Sequence, residues 1–172
     1  MKFSSTHVVV DADVARSAGL TEHPVSKSAR DLLRGISQAN LHVAFCPLLL
    51  AEWRQHKSLL SARWLNSMIA RKKFHLLTPK LLAKTEIDNA GLSAPHQVIA
   101  EKDAHVVDIA VATGNFITSN DKIARGVFTD VAKKSAVFDN LIWAVPTESS
   151  DALVELFSKG GLVPEEWLVR SV

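Results

Sequence analysis

Four acidic residues stand on separate segments of the chain where a carboxylate could take part in chemistry: Asp11, Glu52, Asp103 and Asp121. Carboxylate oxygens suit hard divalent cations such as Mg²⁺ or Mn²⁺, whereas zinc sites draw mainly on cysteine and histidine. Acids of this kind can hold one or two metal ions that activate a water molecule and stabilise the leaving oxygen of a phosphodiester. The residue types therefore predict metal-assisted phosphodiester cleavage, provided that the fold brings the four residues together.

Asp103 is the acid whose neighbours in the sequence are most informative. In a helix, at about 100° per residue, Asp103 falls on the same face as Val106 and Val107. Asp108 and His105 fall on the opposite face, which we predict to be exposed to solvent. A carboxylate on an apolar face has to be ion-paired, hydrogen-bonded or bound to metal. We therefore expect Asp103 to point inward, with a salt bridge as the alternative to a metal ion.

Glu52 is the first charged residue after the apolar run Pro47-Leu48-Leu49-Leu50-Ala51, so we expect it close to the core. On a continuous helix it shares a stripe with His56 and Arg63, because spacings of four and eleven residues return to one side of a helix. These two side chains are candidate substrate contacts.

Acidic residues also follow two predicted strands. Asp11 comes directly after His7–Val10, and Asn120 and Asp121 come shortly after Phe116–Thr118. Aspartate is a common turn and helix-capping residue, so one such acid alone would mean little. In an open parallel sheet, however, ligands bind beyond the carboxyl ends of the strands. Two acidic strand ends therefore predict a shared site at that edge.

The elements that must position these residues alternate between strands and helices, which indicates an α/β domain with a mainly parallel sheet. The predicted strands are His7–Val10, Leu41–Phe45, Phe116–Thr118 and Leu141–Val145. The predicted helices are Pro24–Ile36, Pro79–Ala90, Pro95–Thr113, Asp121–Lys134 and a last one from Ser149 or Ser150 to Phe157. Leu48 to Ile69 forms either one long helix or two that are separated near His56–Ser58.

Size and composition are those of an ordinary globular protein, with 172 residues, 47% of them hydrophobic. We expect a single domain, no secretory leader and no membrane span, because no window approaches about 18 consecutive apolar residues. The single cysteine, Cys46, excludes an internal disulfide and makes a cysteine-rich zinc site implausible. We expect Cys46 to be a buried small apolar residue and the protein to be cytoplasmic.

The formal net charge of +2 is too small to indicate a partner, but its distribution is uneven. The segment from Trp53 to Ala83 carries seven lysines and arginines and no acid. Such a stretch is either a solvated face or a surface that contacts phosphates. Trp53 and Trp64 could stack on single-stranded bases, although tryptophans at helical spacing are more often part of a core.

Four segments together resemble the PIN-domain nucleases, a family that includes the VapC-type toxins. The segments are Val8-Val9-Val10-Asp11-Ala12-Asp13-Val14, Cys46-Pro47-Leu48-Leu49-Leu50-Ala51-Glu52, the stretch from Lys102 to Ala110, and the stretch from Phe116 to Lys122. Each segment is weak by itself, but they occur in the family's order and extend from residue 8 to about residue 145.

The resemblance implies a three-layer α/β/α PIN-like domain over residues 1–172, with a core over about 6–146 and a C-terminal extension over 147–172. It also implies a Mg²⁺- or Mn²⁺-dependent endoribonuclease that hydrolyses RNA phosphodiester bonds. A toxin–antitoxin role, an antitoxin protein partner and a homodimer are further properties of the family. The length of the chain weakens the toxin assignment more than the nuclease assignment.

The resemblance also assigns roles to the acidic residues. Asp11, Glu52 and Asp103 match the family's first three acidic positions. Asp13 matches a position where the family often has Asn or Asp and where the side chain supports the first acid. The fourth position falls on either Asn120 or Asp121, depending on how the segment is aligned. We expect Asp11, Asp103 and Asp121 to be metal ligands and Glu52 to orient the metal or a water molecule.

Two other functions compete with this one. Asp11-Ala12-Asp13 also resembles the first motif of haloacid-dehalogenase-like phosphohydrolases, Asp-x-Asp followed two residues later by Thr or Val. Position 15 is alanine instead, and no later strand ends in the acidic pair that would hold magnesium in that family. A catalytically degenerate PIN fold would be an RNA- or protein-binding module without activity. The histidines at positions 7, 23, 42, 75, 96 and 105 show no ligand spacing, so we predict surface or core roles for them.

Overall fold

The computed structural model describes residues 1–170 and contains, over that range, a five-stranded sheet flanked by eight α-helices. The strands are β1 His7–Val10, β2 His42–Phe45, β3 Phe74–Leu76, β4 Phe116–Thr118 and β5 Ile142–Ala144. The helices are α1 Ala12–Ser17, α2 Pro24–Gln38, α3 Pro47–His56, α4 Leu59–Ala70, α5 Leu82–Ala90, α6 Ala94–Ala112, α7 Lys122–Ala132 and α8 Pro146–Lys159. Every strand pairing is parallel, so the predicted α/β class with a mainly parallel sheet is confirmed.

The order of the strands in the sheet is β3-β2-β1-β4-β5. The chain therefore runs outward from β1 through β2 to β3, returns across the sheet, and continues through β4 to β5. This reversal makes the boundary between β1 and β4 the topological switch point, where a crevice opens beyond the carboxyl ends of the strands. Asp11 and the segment from Ser119 to Asp121 follow these two strands directly.

The helices form two groups that cover the two faces of the sheet. Connections between parallel strands are right-handed, so reversing the direction of strand addition moves the helices to the other face. One group contains α1 to α4 together with α8, which packs along α2, and the other contains α5, α6 and α7. The resulting three-layer α/β/α architecture agrees with the fold that the resemblance implies.

The sequence patterns missed two short elements. The strand β3 was not predicted, because its three residues are only partly buried or exposed and His75 interrupts the apolar pattern. Helix α1 was not predicted either, because its six residues are too few to show a helical period. The predicted helix from Pro79 begins three residues later, at Leu82.

The segment from Leu48 to Ile69 forms two helices rather than one. Helix α3 ends at His56, and Ser58 caps α4 by accepting a hydrogen bond from the Ser61 backbone N–H. Serine at this position satisfies a backbone N–H that has no partner in the first turn of a helix. Of the two alternatives that the sequence left open, the structure has two helices separated near His56–Ser58.

Two buried tryptophans, one on α3 and one on α4, anchor these helices to β1 and α2 through indole hydrogen bonds. Trp53 is fully buried and donates its indole N–H to the carbonyl oxygen of Val10, at 2.9 Å. Trp64 is 9% exposed and donates to the carbonyl oxygen of Leu33, at 2.7 Å. The core role predicted for both residues is confirmed. Because Val10 precedes Asp11 and Trp53 follows Glu52, the first of these bonds brings α3 to the end of β1.

The C-terminal residues pack onto the sheet layers. Helix α8 begins at Pro146, and the predicted start at Ser149 or Ser150 falls at a kink, where Ser149 leaves helical geometry. Gly35 of α2 lies so close to α8 that a side chain there would meet a methyl group of Val154 at 3.0 Å. The buried Leu153 and Phe157 anchor the same helix, so α8 belongs to the hydrophobic core.

No helix within residues 1–170 combines the length and the apolar content that crossing a bilayer requires.

Candidate functional site

A cleft of about 360 Å³ opens beyond the carboxyl ends of β1 and β4, at the switch point of the sheet. It is lined by Asp11, Ala12, Asp13, Arg16, Glu52, His56, Lys102, Asp103, Asn120 and Asp121. All four candidate acids from the sequence line this one cleft, although they come from four separate segments of the chain.

Asp11 lies at the floor of the cleft because β1 and β4 pair up to their last residues. Its backbone N–H donates to the carbonyl oxygen of Thr118 at 3.0 Å, which extends the strand pairing by one residue. One carboxylate oxygen accepts from the Ala12 N–H at 2.6 Å, and the other accepts from the Ser119 hydroxyl at 2.7 Å. Burial nonetheless raises the pKa of Asp11, and the neighbouring Glu52 carboxylate acts in the same direction.

Glu52 reaches the cleft from α3 and meets a histidine of α6. The Nε2 atom of His105 lies 3.1 Å from a carboxylate oxygen of Glu52. The His105 side chain is only 10% exposed and that of Glu52 is 37% exposed, so the pair sits at the rim of the buried region. The contact fixes the direction of the Glu52 side chain and links the two helix layers beside Asp11.

Asp103 points inward, as its helical face predicts, and the residue is only 7% exposed. Burial raises the pKa of Asp103 to about 6, although the Lys102 ammonium group, 3.9 Å from the carboxylate, opposes the shift. The carboxylates of Asp11 and Asp121 also raise this pKa. Asp103 thus faces inward close to the negative charges of Asp11 and Asp121, and its only ion pair is the long contact with Lys102.

Asp13 is held by the segment that follows β4. One of its oxygens accepts a hydrogen bond from the Asn120 backbone N–H at 2.8 Å. The other oxygen is buried and meets the geometric criteria for a hydrogen bond with no group among residues 1–170, although the neighbouring Val14 N–H acts to lower the pKa of Asp13. Burial, followed by the charge of Asp11, raises the pKa of Asp13 to about 7. An unpaired buried oxygen in an acidic cleft is an atom that a cation could satisfy.

Asn120 and Asp121 both line the cleft, but they differ in which atoms are free. The side-chain oxygen of Asn120, its only metal-binding atom, accepts from the Thr147 N–H at 3.0 Å. Asp121 caps α7, with one oxygen accepting from the Ala124 N–H at 2.8 Å. A carboxylate has a second oxygen to offer. The hydrogen bonds therefore favour Asp121 over Asn120 as the fourth acidic position.

The positive side chains of the cleft are not those that the charge pattern indicated. Arg16 of α1 and Lys102 of α6 line the cleft, and neither belongs to the basic segment from Trp53 to Ala83. None of the lysines and arginines of that segment lines it, and Arg63 lies at a separate, apolar depression beside Leu59. Of the two substrate contacts proposed from the Glu52 stripe, only His56 reaches the cleft, because the helix is interrupted before Arg63.

The prediction that Asp108 and His105 face solvent is wrong. Asp108 is 3% exposed and accepts a hydrogen bond from the Ala83 N–H of α5 at 2.8 Å, while His105 contacts Glu52. Burial raises the pKa of Asp108. Helix α6 packs against α3, α5 and α7 as well as the sheet, so polar residues opposite its apolar face are covered too.

The side chains of the cleft fit a hard divalent cation by their chemistry. Five carboxylates face two cationic side chains, and oxygen ligands are those that Mg²⁺ and Mn²⁺ prefer. The carboxylates line the cleft without converging on one point, since no three of them within residues 1–170 have oxygens mutually within 4.8 Å. A shared ion would therefore need these side chains to move toward one another.

The one set of three possible ligands that does meet this distance within residues 1–170 is His7, His42 and His75. The surface or core roles predicted for these histidines stay predictions, because a geometric grouping does not by itself show a bound ion. Spacings of 35 and 33 residues carry no local signal, and only the pairing of β1, β2 and β3 brings them together. Cys46, by contrast, is buried as predicted.

Comparison with known proteins leaves the site to be interpreted from its own geometry. No family model matches the chain, and no curated protein or solved structure matches it either.

Proposed function

We propose that the chain is a metal-dependent endoribonuclease of the PIN kind, which hydrolyses RNA phosphodiester bonds in the acidic cleft. The observation that carries the proposal is that Asp11, Glu52, Asp103 and Asp121, from four segments, line one cleft at the switch point of a parallel sheet. Structural carboxylates would not need to collect at that position, whereas ligand sites of α/β proteins form there.

In this proposal Asp11, Asp103 and Asp121 hold Mg²⁺ or Mn²⁺. When bound, such an ion lowers the pKa of a water molecule and stabilises the leaving oxygen of the phosphodiester. The raised pKa values of Asp11 and Asp103 reflect burial without enough positive charge nearby. A cation at this position would favour the ionised form of both carboxylates.

Glu52 orients the attacking water in this scheme, and His105 acts through Glu52. A carboxylate on a half-exposed helix turn has several accessible rotamers, and the 3.1 Å contact with His105 selects one of them. His105 is therefore a positioning residue in the proposal, because it does not line the cleft and its hydrogen-bond contact is with Glu52, although its charge also acts on Asp11 and Asp103.

Arg16, Lys102 and His56 are the groups that would bind the RNA backbone. They line the same cleft as the acids, so their side chains can contact the phosphates on either side of the scissile bond. Phosphate contacts of this kind hold the substrate in register without reading its sequence.

The competing phosphohydrolase receives less support. Strand β5 leads into Val145 and Pro146 rather than into an acidic pair that could complete a magnesium site. A degenerate binding module is opposed by the presence of every candidate acid in the cleft. RNA as the substrate, an antitoxin partner, a homodimer and a cytoplasmic location stay predictions.

The test is cleavage of mixed RNA by purified protein, with Mn²⁺ and with EDTA. We expect wild-type protein to cleave only with Mn²⁺ and Asp103→Asn to lose at least about 100-fold in rate, because it removes a charged ligand from the metal site. The matched control is Asp151→Asn, an exposed acid on α8 outside the cleft, which should cleave like wild type.

Equal cleavage by wild type and Asp103→Asn, or cleavage that persists in EDTA, would exclude the proposal. RNA binding without any cleavage would favour the degenerate module, and hydrolysis of small phosphate monoesters without RNA cleavage would favour the phosphohydrolase. Circular dichroism checks that the Asp103 variant is folded.

A further inference from the structure

Three histidines from three adjacent strands lie on one face of the sheet, away from the acidic cleft. His7 is the register partner of His42, and His75 is the partner of Ala44. Side chains two residues apart in a strand point to the same face, so His42 and Ala44 share a face. His7, His42 and His75 therefore project from the same side of β1, β2 and β3.

The three imidazole rings are in mutual contact. The ring centroids of His7 and His42 are 5.2 Å apart, those of His7 and His75 5.0 Å, and those of His42 and His75 4.8 Å. The Nδ1 atom of His42 lies 2.6 Å from the Nε2 atom of His75. One nitrogen from each ring lies within 4.8 Å of the other two. In a tetrahedral site with zinc–nitrogen bonds of about 2.0–2.1 Å, ligand nitrogens are about 3.3 Å apart, so small ring movements suffice.

Two further ring nitrogens have partners of their own. The Nδ1 atom of His7 is 2.9 Å from the Thr6 hydroxyl, and the Nε2 atom of His42 is 3.0 Å from the Lys73 ammonium nitrogen. Metal-bound histidines commonly donate their second ring N–H to an acceptor that orients the ring, and the Thr6 hydroxyl can accept in this way, whereas the Lys73 ammonium group can only donate to Nε2 of His42. The Thr6 contact leaves Nε2 of His7 as the nitrogen that can face the other two rings.

We propose that His7, His42 and His75 form a binding site for a divalent transition-metal ion such as Zn²⁺. Imidazole suits Zn²⁺, Ni²⁺ and Cu²⁺ rather than Mg²⁺ or Mn²⁺, so this site and the acidic cleft select different ions. Three protein ligands leave a fourth position of a tetrahedral ion open, and all three histidines are only partly buried, so water can take it.

The protonation of the rings is favourable for this role. Burial is the first cause that lowers the pKa of His7 and of His42, and neighbouring positive or ring groups act in the same direction. Neutral imidazole is the form that binds a metal ion. Binding requires the proton between Nδ1 of His42 and Nε2 of His75 to move to another ring nitrogen, and the Lys73 ammonium group opposes this because it donates to Nε2 of His42.

The site is independent of the nuclease proposal. His7 begins β1 and Asp11 follows its last residue, a separation of about 13 Å at the rise of an extended strand. An ion bound here would cross-link β1, β2 and the edge strand β3, in addition to the backbone pairing of β3 with β2 and the packing of Phe74 on Phe45. We expect the ion to hold β3 in place rather than to act on RNA.

The test is a Zn²⁺ titration of tag-free protein in competition with a chromophoric chelator, because a polyhistidine tag would bind the same ion. We expect one tightly bound Zn²⁺ per chain, retained by Asp103→Asn and by His96→Gln, an exposed histidine on α6. His42→Gln and His75→Gln should each weaken binding at least about tenfold, because each removes one of three ligands. Lys73→Met should strengthen binding, because it removes the competing ammonium group.

Loss of the bound Zn²⁺ in Asp103→Asn would place the ion in the acidic cleft and overturn the proposal. Unchanged affinity in His42→Gln and His75→Gln, weaker binding in Lys73→Met, or no uptake by wild type would do the same. If the histidine variants do not fold, imidazole NMR of the wild type decides. Zn²⁺ should shift the ring signals of His7, His42 and His75 and leave that of His96 in place, and any other pattern overturns the proposal.

Discussion

Asp11, Asp13 and Asp103 share one physical condition, which is that burial outweighs the positive charge around them. Each carboxylate is partly held by hydrogen bonds or by Lys102, yet the pKa of each is raised. A group of acids in this state stores unfavourable electrostatic energy in the metal-free protein, and either protonation or a bound cation would release it.

Asp13 provides a test of that condition through pH. Its pKa of about 7 in the folded protein lies above the ordinary 3.8, so ionisation opposes folding. The stability of the metal-free protein should therefore fall as the pH rises from about 4 to about 7, and stay low above that. Asp13→Asn removes the charge, so in EDTA it should raise the free energy of unfolding by roughly 1–3 kcal/mol at about pH 8 and little at about pH 4. Urea unfolding at both pH values measures this, and a variant that is destabilised more at the higher pH would contradict it.

His105 provides a second test, of positioning rather than charge. We expect His105→Gln to lower kcat by about tenfold or more with little change in KM, because Glu52 loses the partner that selects its direction. The same substitution should have a much smaller effect in a Glu52→Gln background, because its main contact is with Glu52 and only its weaker electrostatic action on Asp11 and Asp103 is left. RNA cleavage kinetics measure both. His96→Gln is the matched control, and independent, multiplied losses in the double variant would refute the positioning role.

At the scale of elements, α6 organises the molecule because it packs against three helices and three strands. It contributes Asp103 toward the cleft, His105 toward α3 and Asp108 toward α5. Its apolar residues are spread around the helix, which is typical of an element covered on several sides. Polar side chains on such a helix are positioned by partners on neighbouring elements.

Asp108 tests this packing. Its carboxylate accepts the Ala83 N–H in the first turn of α5, a donor that has no partner within that helix. Asp108→Ala leaves that donor buried and unpaired, so we expect a loss of about 1–3 kcal/mol in the free energy of unfolding. Asp108→Asn keeps an acceptor and should lose less, and Asp88→Ala, which removes an exposed ion pair with Lys84, should lose below about 0.5 kcal/mol. Urea unfolding compares the three, and equal losses for Asp108→Ala and Asp88→Ala would show that the buried bond does not join the helices.

At the scale of the whole molecule, the small net charge conceals two separated regions. Five of the 18 acidic residues line the cleft, and the basic segment from Trp53 to Ala83 places its lysines and arginines outside it. Among the residues that line the cleft, only Arg16, Lys102 and His56 could contact RNA phosphates, so we expect the cleft itself to contribute a shallow salt dependence of binding.

This charge distribution predicts the behaviour of Arg16→Ala. In an Asp103→Asn background that prevents cleavage, we expect weaker binding of single-stranded RNA and a salt slope that is less steep by about 0.7, the value for one lost phosphate contact. Lys133→Ala is the control, since Lys133 is paired with Asp130 at 3.1 Å outside the cleft. Fluorescence anisotropy over a range of salt concentrations measures the slope, and an unchanged slope in Arg16→Ala would remove this residue from the RNA-binding surface.

The sequence predicted most long elements, because hydrophobic period and capping residues are local properties of the chain. Four of the five strands, the acids at two strand ends and the inward direction of Asp103 follow from such patterns. Helix α1 could not be predicted because its six residues are too few to show a period, and strand β3 could not because it is only partly buried and His75 interrupts its apolar residues. The cleft contacts of Arg16 and Lys102 also depend on which elements meet, and neither residue has a distinctive sequence context.

By itself, the sequence determined which acids stand at strand ends and which one lies on an apolar helix face. Only the tertiary structure decided that these acids share a cleft, that Asp108 and His105 are covered, and that three histidines from distant segments meet. The physical reason is that the hydrophobic period of a segment and the residues at its ends are properties of that segment alone. Contacts across the sheet depend instead on the order β3-β2-β1-β4-β5, which no single segment specifies.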